Sequence, residues 1–280
     1  MPAVSLVVCV YQERDLIERL LQRAAGDYDD LVVVHDGCDT TGVRTVVERV
    51  GGRFYERPRA YQQEPHWPFA WAEAKHDWIL RLDADEFPSQ ELKRWLADFR
   101  NADEPTDTVS GYTCTWPLWN GKREVSRHWP AGRGFLFHRQ RVRFFGMVEQ
   151  VPIADTQFES LECILHHQPA RASYGIRNVL FRRQAYEWRR VISESLMANP
   201  TDLSCWRWTD QNWPDHWEQM RRHPLRTAFV RLAKLPTRQF VSMLRAREMP
   251  RLSACLNPGM HHFMLGLRIQ MEKWRQTRWR

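Results

Sequence analysis

Residues 78–87 read WILRLDADEF, an apolar run that ends in three acidic residues with one alanine between the first two. The run predicts a buried strand whose carboxyl end carries the acids, and ligands of open α/β sheets bind at that end of the strands. Because side-chain direction repeats every second residue in an extended chain, Asp83 and Asp85 are expected to point the same way and share one divalent cation. The alternative is a strand followed by an acidic turn, with Glu86 at a helix N-terminus.

The segments on both sides of this stretch alternate between strand and helix patterns. β-Branched apolar runs are typical of strands buried on both faces, and apolar residues three and four apart are typical of helices. In chain order these patterns predict strand 4–10, helix 15–25, strand 31–34, helix 41–50, strand 53–56, helix 70–76, strand 78–82 and helix 89–99, with Ser89 as N-cap. Such alternation predicts a parallel sheet with right-handed crossovers.

From residue 108 the pattern changes. Strands are predicted over 109–116, 134–138 and 142–145 without helices between them, which indicates an antiparallel extension of the sheet. Helices are predicted over 171–195, 224–248 and 259–279, the last two being separated by Pro250 and Pro258. The expected fold class is α/β, with a mostly parallel central sheet and a helical C-terminal extension. The expected domains are 1–198, with halves 1–100 and 101–198, and a basic helical region over 199–280.

The composition limits the class of protein. Six cysteines lie far apart with no CxxC pair, which argues against a zinc knuckle and against a dense disulfide framework. No GxxxxGK[ST] loop is present and no GxGxxG follows the first strand, so P-loop and dinucleotide-binding proteins are disfavoured. The chain has no run of 18 apolar residues and opens directly on a strand pattern, so a cytoplasmic protein without a spanning helix is expected.

Charge is distributed unevenly along the chain. The net charge is +7, but residues 216–280 alone carry 14 Lys/Arg against three acids. Residues 224–279 interleave these cations with apolar residues at helical spacing, which is typical of helices that lie in an anionic membrane surface. Alternatively, these helices pack on the catalytic domain or on a second subunit. Nucleic acid is not expected as a partner, because no recognisable nucleic-acid module accompanies the basic residues.

Three polar segments follow the predicted strands in a fixed order: residues 10–13 (VYQE), 35–42 (HDGCDTTG) and 83–86 (DADE). Their order resembles the family 2 glycosyltransferases, nucleotide-sugar enzymes of the GT-A fold. The resemblance implies a metal-dependent, inverting glycosyltransferase that uses Mn²⁺ or Mg²⁺. Its donor would be a nucleotide-diphosphate sugar, here a UDP-sugar, and its acceptor a cell-envelope glycan or a lipid-linked acceptor. It also implies a place in the cytoplasm or on the inner face of the cytoplasmic membrane.

The resemblance assigns roles to individual residues. The nucleotide side of the site falls to Tyr11, Glu13, Asp36, Asp39 and Asp83. Tyr11 and Glu13 would border the base and ribose, Asp36 would hydrogen-bond one of them, and Asp39 would shape the loop. Asp83 would lie near both ribose and metal, with Asp85 the more direct metal ligand. His35 and Gln12 stand where the family has an acid and an asparagine.

The second half of the chain resembles lipopolysaccharide-core-type members of the family. There an aromatic-glycine strand leads into a His-Glu pair; here Glu149 matches the acid and Val148 replaces the histidine. Inverting transfer needs a general base on the acceptor hydroxyl, and a carboxylate suits that role. Glu149 is therefore the predicted base, with Asp155 and Glu159 as alternatives.

Residues 165–168 (LHHQ) end a further apolar stretch. GT-A enzymes often complete the metal shell with a late histidine, so His166 or His167 is predicted to contact the metal or the diphosphate. The alternative is a pair of histidines that cap a strand. Aromatic and basic side chains between the metal strand and the predicted base suit an acceptor sugar or a hydrophobic cluster: Trp116, Trp119, Arg127, His128, Trp129 and Arg133.

Two other functions compete with this interpretation. A nucleotidyltransferase of related fold usually carries a Gly-rich, basic loop after its first strand, and residues 11–14 (YQER) are not one. A non-catalytic, membrane-associated relative would keep the fold without metal-dependent nucleotide binding.

Overall fold

A computed structural model of the chain describes residues 1–126, 132–144, 152–154, 156–169, 176–197, 215–245 and 247–278. The chain divides into two compact units, Met1–Arg171 and Ala172–Arg280. The first unit contains the sheet, and the described part of the second is helical. Residues 172–198, assigned from the sequence to the catalytic domain, fall in the second unit by this division.

Apart from a short strand at residues 86–88 that was not predicted, the first unit alternates strands and helices through residue 101, as predicted. Its elements are β1 (Val4–Val10), α1 (Arg14–Arg23), β2 (Asp30–Asp36), α2 (Val43–Arg49), β3 (Arg53–Arg57), α3 (Trp67–Glu73), β4 (Trp78–Arg81), β5 (Glu86–Pro88), α4 (Gln90–Asn101), β6 (Val109–Thr115), β7 (Leu118–Trp119), β8 (Glu124–Ser126), β9 (Arg133–His138), β10 (Val142–Arg143), β11 (Ile153–Ala154) and β12 (Gln157–His167). Every residue of β1 and β2 is buried, which explains why most of their residues are apolar. Ser89 caps α4 as predicted, because its side chain accepts a hydrogen bond from Leu92 N at 3.2 Å.

The described strands form one eight-stranded sheet in the order β3-β2-β1-β4-β9-β6-β12-β5, together with two short hairpins. The pairs within β3-β2-β1-β4 are parallel, and β9 runs antiparallel to both β4 and β6. The predicted antiparallel extension is thus confirmed for β9, whereas β12 pairs with β6 in parallel. As a result, the carboxyl ends of β1, β2, β4, β6 and β12 and the amino end of β9 meet at one edge of the sheet.

The described part of the second unit consists of five helices: α5 (Ile176–Phe181), α6 (Arg183–Met197), α7 (Asp215–Arg222), α8 (Pro224–Arg245) and α9 (Leu252–Arg278). The single helix predicted over 171–195 is therefore two helices. No described helix is long and apolar enough to cross a membrane.

The prediction that Pro258 separates two helices is wrong, because this proline lies inside α9. A proline inside a helix removes one backbone hydrogen bond, so another interaction must hold the helix together. Close packing of α9 against α8 is such an interaction, and two glycines allow it. An added Cβ at Gly259 would lie 3.0 Å from the Pro236 ring, and one at Gly266 would lie 2.5 Å from Ala228 Cβ.

Candidate functional site

The loop after β1 is joined to the loop after β2 through Gln12. This residue takes a left-handed backbone conformation, with φ of 55°. Its side chain donates from Nε2 to Cys38 O at 2.7 Å and accepts at Oε1 from Thr40 N at 3.0 Å. Gln12, where the family has asparagine, therefore fixes the spacing of the two loops.

His35 is fully buried beneath these loops. Its Nε2 accepts from Gln12 N at 3.1 Å, so the other ring nitrogen carries the proton and donates to Gly37 O at 2.8 Å. The histidine that replaces the family's first loop acid is therefore part of the loop framework and lies away from the surface.

The carboxylate of Asp36 is buried and engaged on both oxygens. Oδ1 accepts from Ala60 N at 2.5 Å and lies 2.9 Å from His66 Nε2, while Oδ2 lies 2.9 Å from Arg59 Nη1. The same Arg59 guanidinium lies 3.2 Å from the ring centroid of Tyr11, whose side chain is 47% exposed. Among these residues Tyr11 presents the open surface, and Asp36 organises the groups beneath it. Sequence patterns gave no signal for Arg59 or His66.

Asp39 closes the second loop onto the start of α2. Its Oδ1 accepts from Thr41 N and Gly42 N, each at 3.0 Å, and its Oδ2 accepts from Arg44 N at 2.8 Å. Burial tends to raise the pKa of this carboxyl, but the backbone hydrogen bonds, led by those of Arg44 and Thr41, outweigh it and lower the pKa to about 2.

We expect Asp39→Ala to lower the free energy of unfolding by about 1 kcal/mol, because three backbone N–H groups lose their acceptor. The folded-state pKa is depressed, so the contribution is present above the ordinary carboxyl pKa and is lost as the pH falls toward 2. Denaturant unfolding at pH 7 and pH 3 measures both effects. Replacing the neighbouring exposed Thr40 with alanine is the control, and a pH-independent difference between wild type and Asp39→Ala would contradict the prediction.

The acidic stretch after β4 is a turn. Glu86 N donates to Asp83 O at 2.9 Å, and Asp83 N donates back to Glu86 Oε2 at 2.8 Å. The expectation that an extended chain aims Asp83 and Asp85 the same way is therefore wrong, because β4 already ends at Arg81. Asp83 Oδ2 lies 3.0 Å from Arg133 Nη2 at the start of β9, whereas Asp85 is directed at β12.

β12 brings two adjacent histidines to this edge, and they point in opposite directions. His167 Nε2 lies 3.5 Å from Asp85 Oδ2, and its ring stacks on Trp116 with 4.0 Å between centroids. His166 Nδ1 lies 2.6 Å from Glu124 Oε1. Strand alternation separates the two side chains, and only His167 lies beside an acid of the turn.

Burial perturbs the acids of this region. Burial, with the Asp85 charge adding to it and the Arg81 charge opposing it, raises the pKa of Asp83 to about 6. Burial, followed by the Asp83 charge, raises the pKa of Glu86 well above its ordinary value. Burial and the Asp85 charge raise the pKa of Glu13 to about 7. Such mutually raised carboxyls form a site that favours a cation.

The described residues contain no group of three or more His, Cys, Asp or Glu side chains arranged around a metal position. A cation held on nucleotide phosphates needs fewer protein ligands, since one or two carboxylates suffice and the phosphates supply the rest. Asp85 and His167 offer one carboxylate and one imidazole of the kind that such a cation binds, and Asp83 lies in the same turn.

Several residues predicted for the site lie outside the described residues: Arg127, His128, Trp129, Glu149 and Asp155. The other alternative base, Glu159, is described near the amino end of β12. His167 lies eight positions further along this strand, roughly 26 Å away in an extended chain. Glu159 is therefore not brought to this edge of the sheet.

Solved structures resemble the chain at low sequence identity. The crystal structure of S. aureus TarS aligns with TM-score 0.41 and 12% identity over 88% of this chain and 53% of that chain, so this chain spans about half of its length. TarS 1–349 in complex with UDP aligns with TM-score 0.39 and 14% identity over 98% and 92% of the two chains. A CMP:2-keto-3-deoxy-manno-octonic acid synthetase complexed with CTP gives 0.31 and 14% over 49% and 71%. No curated protein matches the chain.

The family model described as glycosyl transferase family 2 matches residues 5–153. The matched segment takes up more than half of the chain and includes both loops and the acidic turn described above. Together with the resemblance of the three segments, this match sets aside the nucleotidyltransferase interpretation. The chain belongs to glycosyl transferase family 2 and is a glycosyltransferase.

Proposed function

We propose that this glycosyltransferase transfers a sugar, with inversion, from a UDP-sugar to a cell-envelope glycan or lipid-linked acceptor, and that it depends on Mn²⁺ or Mg²⁺. The observation that carries the proposal is the pairing of Asp85 with His167 beside Asp83, at the edge where β1, β2 and β4 end. Ligands of open α/β sheets bind at this edge.

The nucleotide is proposed to lie across the first two loops. The exposed ring of Tyr11, backed by the Arg59 guanidinium, offers an aromatic face for the base. Glu13, the acid among residues 10–13, borders the ribose in this proposal. Asp36 keeps its carboxylate engaged by Arg59, Ala60 and His66, so its contribution to base binding is to hold the loop beneath the base.

The diphosphate is proposed to lie over the acidic turn, with Asp85 and His167 holding the cation and Asp83 next to the ribose. A divalent cation supplies Lewis-acid stabilisation of the charge on the departing diphosphate. An imidazole ligand suits Mn²⁺ better than Mg²⁺, so Mn²⁺ is the preferred ion in this proposal. The family assignment supports sugar transfer, and the Asp85–His167 pair supports the dependence on metal.

Glu149 is proposed as the base that takes the proton of the acceptor hydroxyl. We expect Glu149→Gln to lower transfer to the acceptor by about 10²- to 10⁴-fold while nucleotide binding stays unchanged, because the base acts on the acceptor and not on the donor. Product formation and calorimetric UDP titration measure the two quantities. The control is Gln150→Glu, which adds an acid next to Glu149; transfer equal to wild type in Glu149→Gln would remove Glu149 from this role.

The proposed function is tested with a panel of nucleotide sugars in Mn²⁺, scored by release of nucleoside diphosphate with and without EDTA. Metal-dependent release of UDP from one donor supports the proposal and names the sugar. Release of a different nucleoside diphosphate would show that the donor is not a UDP-sugar. Release that continues in EDTA would refute metal dependence. A folded protein that neither releases nor binds nucleoside diphosphates would be the non-catalytic relative.

The acceptor is proposed to reach the enzyme at the inner face of the cytoplasmic membrane through α8. Phe229, Val230, Phe240, Val241 and Leu244 are all 39% exposed or more. Exposed cations at Arg226, Lys234, Arg238 and Arg245 lie on the same helix, and apolar side chains flanked by cations suit an anionic lipid surface.

We expect the double variant Phe240→Ser/Leu244→Ser to lose most of its binding to vesicles containing anionic phosphatidylglycerol, because each change removes apolar area from the lipid-facing side. Co-sedimentation at low and high salt measures it. Val50→Ser is the control, since Val50 is 50% exposed on the first unit. Equal sedimentation of wild type with neutral and anionic vesicles, or a concentration-dependent dimer lost in the double variant, would refute the membrane proposal.

A further inference from the structure

Arg133, the first residue of β9, pairs with two acids of the turn at once. Its Nη2 lies 3.0 Å from Asp83 Oδ2, and its Nε lies 2.9 Å from Glu86 Oε1. Nη2 also donates to Glu86 Oε2 at 3.2 Å, across 47 residues of sequence. The guanidinium therefore joins both ends of the acidic turn to a neighbouring strand.

Glu86 has no contact with solvent, since its exposed fraction is 0%. A carboxylate in that position cannot touch a donor, and a buried charge without a partner is strongly unfavourable. The Glu86 carboxylate pairs with the Arg133 guanidinium and accepts at Oε2 from Asp83 N at 2.8 Å. Glu86 therefore holds Arg133 in place and closes the turn at the same time.

Asp83 differs from Glu86 because it is partly open. Its side chain is 21% exposed, and one oxygen, Oδ2, is held by Arg133. The other oxygen, Oδ1, is buried, and the carboxylate also accepts a side-chain hydrogen bond from Gln63. A carboxylate that neighbouring groups hold in place while its side chain stays partly exposed loses little freedom when a ligand binds.

We propose that Arg133, held by Glu86, is a positioning residue that fixes the Asp83 carboxylate for the nucleoside diphosphate part of the donor. The proposal rests on the proposed function and assigns different roles to two pairs of residues in the donor site. Arg133 and Glu86 set the orientation of Asp83, whereas Asp85 and His167 form the cation site. Arg133 thus has a role in the donor site, in place of the acceptor role that its position among tryptophans suggested.

The test is calorimetric titration of UDP and GDP in Mn²⁺ with wild type, Arg133→Met, Arg133→Lys and Arg139→Met. Arg139 is the matched control, because it follows the other end of β9 and its Nε lies 2.7 Å from Asp77 Oδ1. We expect about tenfold weaker nucleotide binding in Arg133→Met, partial recovery in Arg133→Lys and unchanged binding in Arg139→Met. Recovery by lysine distinguishes a charge that positions Asp83 from general loss of packing, since lysine pairs with one acid but not with both in a fork.

The proposal would be overturned if Arg133→Met bound nucleotide as tightly as wild type and had the same melting temperature as Arg139→Met. If Arg133→Met does not fold, Glu86→Gln replaces it, because glutamine still accepts from Asp83 N but lacks the charge that holds Arg133. Glu86→Gln with wild-type affinity would overturn the proposal equally. Wild-type protein that binds neither nucleotide, with or without Mn²⁺, would instead overturn the proposed function and the present proposal with it.

Discussion

Replacing Asp85 with alanine is expected to reduce metal-dependent release of nucleoside diphosphate by about 10²- to 10³-fold, the loss typical of one preorganised electrostatic group. The side chain faces His167 at 3.5 Å, and the turn does not depend on it. Backbone bonds hold the turn, since Gln168 N donates to Asp85 O at 2.8 Å and Glu86 N donates to Asp83 O. The variant should therefore fold and lose function through its missing carboxylate.

Initial rates with the best donor, measured over a range of Mn²⁺ concentrations, check this expectation. Asp98→Ala is the control, because Asp98 is an exposed acid on α4. Asp85→Ala activity within a few fold of wild type, in a protein with the wild-type melting temperature, would remove Asp85 from the metal site.

His167→Ala is expected to lower the same activity by about 10- to 100-fold, whereas the adjacent His166→Ala changes it by less than about threefold. The difference follows from their directions on β12, since His167 faces Asp85 and His166 pairs with Glu124. The two variants control for each other, because each removes one imidazole from the end of the same strand.

The Mn²⁺ concentration for half-maximal rate gives a second measurement of the same difference. It is expected to rise in His167→Ala and to stay at the wild-type value in His166→Ala. A larger loss of activity in His166→Ala than in His167→Ala would assign the cation contact to His166. Equal small losses in both variants would indicate that carboxylates alone bind the cation.

Local patterns predicted the strands and helices through residue 101 except β5, because apolar runs and helical spacing are recognised over a few neighbouring residues. They did not resolve which histidine faces the acids, since that depends on the register that sets His167 opposite Glu86. They also placed Pro258 between two helices, because the close approach of α9 to α8 at Gly259 is a property of two packed helices.

The site shows the same division between local and distant information. The acids of the turn were found from the sequence, but their directions were not, because β4 ends at Arg81 and the chain then turns. The pairing of Arg133 with Asp83 joins β9 to the turn, and no sequence pattern predicts this contact. The contacts of Arg59 and His66 with Asp36 were not predicted either, because both side chains reach Asp36 from a later segment of the chain.

The attachment of the acidic turn to β9 and β12 has a consequence for how the chain matures. Arg133, which pairs with Glu86 across 47 residues of sequence, and Gln168, still further along the chain, hold the turn. Contacts between such distant residues form late and slow the approach to the native state. The first hundred residues therefore contain both loops and the acidic turn without the later residues that hold the turn, and a fragment that ends before β12 is expected to bind no nucleotide even if it is compact.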